Sequence, residues 1–135
     1  MKKVLAILSI FFVCSVCVNA DEVVQHPAQN PLTVSQNIMF DRCTKIFKVN
    51  QEKLFYLTLA SISANRFNVD EIQTSNGYVI FTANHNKYLA AIAKVDGANS
   101  ILKITPCNNV YNFPPGILVN MFKYIDMNLS SDIKS

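Results

Sequence analysis

Histidine and glycine are scarce in this 135-residue chain, at two and three copies. The histidines, His26 and His85, and the cysteines Cys43 and Cys107 show no paired metal-ligand spacing, so no metal site is expected. Gly77, Gly97 and Gly116 lie too far apart to build a phosphate-cradling loop, and no G-x-S-x-G elbow occurs. No cofactor is expected. Asp70-Glu71 is the only adjacent acidic pair in the region expected to fold. Strand neighbours point to opposite faces, so these two flank one substrate only if a bulge re-aims them. Cys107 as a nucleophile needs a nearby base. These gaps weigh against an enzyme.

The beginning of the chain is rich in what the rest lacks. Lys2 and Lys3 precede an almost wholly apolar run, Val4 to Val16, and Val18-Asn19-Ala20 puts small residues where a signal peptidase has shallow pockets. The run is shorter than the ~20 residues that span a bilayer. Residues 1–20 are therefore expected to be a signal peptide cleaved between Ala20 and Asp21, with export to the periplasm or outside the cell. The rival is lipid anchoring at Cys14 or Cys17. Bacterial lipoprotein signals want a small residue directly before the cysteine, and Val13 and Val16 stand there instead. The membrane is then met only through the transient signal.

Cleavage would leave 115 residues, enough for one modest core. Two of the 12 Lys+Arg leave with the leader, so ten face nine acids, a balance of +1. No basic cluster remains to hold a phosphate backbone, and no nucleic-acid partner is expected. Of four cysteines, Cys43 and Cys107 stay. In an oxidising compartment they are a disulfide candidate closing a long loop; the alternative is two buried free thiols.

Residues 21–44 are polar, carry Pro27 and Pro31 and show no sustained period, as expected for a flexible lead-in. Ile38–Cys43 reads equally as a helical turn or a strand. From Lys45 to residue 128 a single α+β domain is expected. "KIFKV" reads as a strand with Phe47 and Val49 on one side. Asn50 suits a helix N-cap, and Phe55, Thr58, Leu59 and Ile62 recur at helical spacing with Leu54 beside them. Beyond Phe67 the period falls to about 2, with a slip at Asp70-Glu71 that predicts a bulge. Asn76-Gly77 predicts a two-residue type I′ hairpin. Strands follow over 78–83, 87–95 and 100–105, joined by short turns, and so antiparallel neighbours. Tyr78 and Tyr88 are assigned to the face opposite Val79, Phe81 and Leu89. Pro114-Pro115 can start a second helix carrying Ile117, Leu118, Met121, Phe122 and Ile125. Residues 129–135 read as a polar tail. The order β-α-β-β-β-β-α predicts an antiparallel meander of four to five strands packed on one face by two helices.

Tyr78, Tyr88, His85, Tyr111 and Phe113 are the candidate contact surface, since Tyr suits recognition and a long polar-aromatic loop, "CNNVYNFPPG", can present it. The competing readings are cross-strand partners for the two strand tyrosines, a solvated turn for His85, and a cap on the core for the loop. Asn128-Leu129-Ser130 fits the glycosylation pattern, which matters only in a eukaryotic source.

The strand "KIFKV", the helix from Asn50 and the strand pair around "TSNGYVIFTA" resemble, over Lys45 to about Met127, the small helix-grip domains of exported bacterial envelope proteins. That resemblance implies a binding or scaffolding module and carries over no functional residue. The expected function is a non-catalytic envelope module that binds a protein or an apolar ligand. A secreted inhibitor or neutralising protein is the alternative. A small hydrolase, which needs His85, Asp70 or Glu71 to converge in a cleft, ranks lower.

Overall fold

The computed structural model describes Leu32 and residues 34–130. The expected leader with Cys14 and Cys17, the Ala20/Asp21 cleavage point, His26 and residues 131–135 lie outside the described residues. The elements in chain order are β1 (Gln36–Asn37), a 3-10 turn (Phe40–Cys43), β2 (Thr44–Phe47), α1 (Gln51–Ala64) and β3 (Asn68–Gln73), then β4 (Tyr78–Ala83), β5 (Asn86–Lys94), β6 (Ser100–Pro106), β7 (Asn112–Phe113) and α2 (Gly116–Met127).

The fold is α+β. A five-stranded antiparallel sheet has the order β2-β6-β5-β4-β3, so β3 to β6 form a meander and β2 returns beside β6 at the far edge. A second, two-stranded sheet pairs β1 with β7. The expected lead-in therefore ends sooner than residue 44. Gln36 and Asn37 pair with Phe113 and Asn112, and the Ile38 N–H donates to the Tyr111 carbonyl at 2.9 Å. Two-residue strands carry no readable alternation, which is why the sequence does not announce them. Ile38–Cys43 resolves as a 3-10 turn that buries Cys43.

Both helices cover the same sheet face. The Asn50 side chain accepts the Lys53 N–H at 2.8 Å, so α1 starts where its cap residue places it. It buries Leu54, Phe55, Leu57, Thr58, Ser61 and Ile62. The two buried hydroxyls are satisfied within the helix: Thr58 donates to the Leu54 carbonyl and Ser61 to that of Thr58, both at 2.8 Å. The helix ends in a Schellman motif. Arg66 takes φ +62°, its N–H reaches the Ser63 carbonyl, and the Phe67 N–H reaches that of Ile62. Pro115 occupies the N-cap position of α2, which buries Ile117, Leu118, Met121 and Ile125, as its apolar stripe predicts. From the sheet, Phe47, Val79, Phe81, Tyr88, Ala90, Ile92, Leu102 and Ile104 complete the core.

The bulge falls as predicted, between Val69 and Glu71. The turn does not. Gln73 pairs with Tyr78 across a four-residue connection, Thr74–Gly77, closed by the Gly77 N–H on the Thr74 carbonyl, and Gly77 alone in it has positive φ (+71°). Glycine is required there twice over, because a Cβ would also lie 2.7 Å from the Ile92 carbonyl oxygen. The two-residue hairpin with positive φ at both central positions is the next one, Asn84 (+50°) and His85 (+71°), bridging the Ala83–Asn86 pair.

Candidate functional site

Register decides which expected contact residues reach a surface. Phe81 pairs directly with Tyr88, so the two share a face, and it is the one the helices cover. Tyr88 is fully buried, its ring stacked on Phe81 at 5.6 Å and edge-on to Phe113 at 5.3 Å. The assignment of Tyr88 to the opposite face is corrected. Its strand carries alanines at 90, 91 and 93, so hydrophobicity alone does not distinguish the two faces. Phe113 is buried too, held inward by β7. Tyr111 is half-buried against Phe40 (5.8 Å, edge-on). Tyr78 lies half-buried on the open face, and His85 is exposed at the β4–β5 tip. The five residues form no common surface.

The cysteine pair is corrected as well. Cys43 and Cys107 are free, the first buried and the second exposed. Thr44, next to Cys43, pairs with Lys103, four residues before Cys107, so the β2–β6 register does not set the two cysteines opposite each other. Burial raises both thiol pKa values; Asp41 adds to the effect at Cys43, while near Cys107 Lys87 opposes it and Asp70 adds to it. Neither thiol is held as a thiolate at neutral pH.

The bulge does re-aim Asp70 and Glu71, and each carboxylate is already engaged. Asp70 accepts the Thr82 hydroxyl at 2.6 Å and pairs with Lys87 at 3.2 Å, which holds its pKa below the usual carboxylate value. Glu71 accepts the Tyr78 hydroxyl at 3.0 Å, which raises the phenol, and the Gln73 amide at 3.2 Å. His85 hydrogen-bonds to neither carboxylate among the described residues, so the acid–base pairing that a hydrolase reading requires is not assembled. Among the described residues no group of three or more His, Cys, Asp or Glu is placed to hold a metal.

A concavity of the surface lies elsewhere, where the N-terminal arm, β2 and the first turns of α2 meet. It is a groove of about 380 Å³. Ile38 and Met39 come from the arm, Arg42 from the 3-10 turn, Thr44 and Lys45 from β2, and Pro115, Leu118, Val119 and Phe122 from α2. The local sequence explains each wall. The β1–β7 pairing and the Ile38–Tyr111 hydrogen bond fix the arm, the Phe47–Phe122 ring contact (6.1 Å) ties β2 to α2, and Lys45 forms an ion pair with Asp126 of α2. The floor is apolar. Arg42 and Lys45 line the groove and no carboxylate does. β2 has no strand on its outer side, so its outward backbone N–H and C=O groups are unpaired by the sheet. Sequence reasoning passes over this site because its residues lie in stretches read as lead-in and core.

No family model matches the chain, and no curated protein matches it. No helix among the described residues is long and apolar enough to cross a membrane.

Proposed function

We propose that this chain is an exported, non-catalytic binding module of the cell envelope, and that it takes a protein partner in the groove between β2 and α2. The observation that carries this reading is the groove beside an unpaired edge strand: an apolar concavity of a size typical for ligand sites, with backbone groups available at its side. The leader supports export. The engaged carboxylates of Asp70 and Glu71, neither hydrogen-bonded to His85 among the described residues, weigh against hydrolysis. The unbonded cysteines remove the staple that favoured a secreted inhibitor.

The test joins location to contact. Fractionation and intact-mass measurement should find the chain outside the cytoplasm, beginning at Asp21. A photo-crosslinker at Val119 should capture a defined partner in the native envelope, and the same group at Ala93, on the open sheet face, should not. Cytoplasmic retention contradicts export. Equal capture from both positions contradicts the groove.

A further inference from the structure

The groove has a charge bias that deepens the reading just given and rests on it. Arg42 projects from the 3-10 turn and makes no ion pair among the described residues, whereas Lys45 is held by Asp126. Across the groove stands the N-terminal end of α2. Pro115 provides no side-chain cap and the first turn contains no acid, so no carboxylate of the helix's own first turn offsets the positive end of its dipole near Pro115, Leu118 and Val119. An apolar floor therefore lies between two sources of positive potential. The neighbouring edge strand offers alternate N–H and C=O groups to an extended chain.

We infer that the occupant is an extended segment of another protein in which acidic side chains alternate with apolar ones, added as a sixth strand beside β2. Alternation suits the geometry, since one set of side chains, the acidic one, would enter the groove beside Arg42 and Lys45 while the apolar set would lie on the other face beside the exposed Ile46. A second copy of this chain fits poorly. Two β2 edges brought together would oppose the Arg42, Lys45 and Lys48 of each. The far edge, β3, carries the bulge that disrupts regular pairing.

The probes are end-blocked, fluorescently labelled pentapeptides that alternate valine with glutamate, lysine or threonine, titrated against the mature chain by anisotropy. The glutamate peptide should bind, and the lysine peptide should not. Arg42→Glu should weaken the glutamate peptide about tenfold and improve the lysine peptide, with the thermal midpoint unchanged because Arg42 is exposed. Asp126→Asn, which frees Lys45, should tighten the glutamate peptide. Added salt should weaken it. Equal binding of the threonine peptide would keep the groove as a site and overturn the acidic preference. No binding of the glutamate peptide up to about 1 mM, where contacts of ~4 kcal/mol still register, would overturn the inference. Self-association of the chain that Arg42→Glu alters would assign the edge to a second copy and overturn it too.

Discussion

The two edges of the sheet are built to opposite ends. At β3 the chain defends its edge. A bulge between Val69 and Glu71 breaks the ladder, and the carboxylates it turns are tied down by Thr82, Lys87, Tyr78 and Gln73. At β2 the register is unbroken over four pairs, the strand is locked to the core through Phe47, and the space beside it is an apolar groove. An edge strand is a hazard unless it is blunted or used. β3 is blunted by a bulge. β2 has only its shortness and Lys45 as protection, and a concave wall beside it that protection does not require.

The largest expected effect tests how firmly β2 is held. Phe47 is 2% exposed and touches Phe122, so Phe47→Ala should lower unfolding free energy by about 3–5 kcal/mol. Val69, 39% exposed on β3, should lose less than about 1 kcal/mol on the same change. Urea denaturation of both variants measures the contrast. Equal losses would show that the two edges are anchored alike.

Midway between the edges, Tyr88 is a reference that depends on neither. Its hydroxyl is buried without a partner, so Tyr88→Phe should stabilise the protein by about 1–3 kcal/mol. Burial pushes the phenol pKa up to about 12 from its ordinary 10.0. Because the folded value is the higher one, this contribution is complete below pH 10 and is lost as the pH rises through about 12. Stability of the native chain should fall across that window, and the phenylalanine variant should fall less. An unchanged alkaline profile would place the orphan group elsewhere.

Smaller effects sharpen the comparison. Asn50, directly after the β2 side, caps α1, and Asn50→Ala should cost about 1 kcal/mol in thermal unfolding. His85, at the β4–β5 tip, sits at φ +71°, where a side chain is strained. His85→Gly should gain about 0.5 kcal/mol after the larger unfolded entropy of glycine is subtracted. Loss of stability in that variant would mean that the imidazole makes a contact worth more than the strain.

Elements governed by local chemistry are legible in the sequence: α1 from its Asn50 cap and stripe, α2 from its prolines and stripe, the meander from its short turns, and the bulge from the phase slip at Asp70-Glu71. Features set by how elements meet are not. The Asn-Gly dipeptide marks a turn, but which hairpin takes two residues is settled by strand register, and it is the one at Asn84-His85. The face of Tyr88 follows from its pairing with Phe81, which no pattern in an alanine-rich strand reveals. The β1–β7 pair and the groove arise only when the arm comes to lie beside α2. Of the residues first considered for contact, none lines that groove.

The most direct test of the difference between the edges is an amide chemical-shift map of the mature chain with the end-blocked glutamate–valine pentapeptide. Shifts concentrated at Thr44–Phe47 and Leu118–Phe122, with Asn68–Gln73 unmoved, are the predicted result. Shifts concentrated on β3 or on the open face at Ile80 and Leu89, with β2 unmoved, would contradict it.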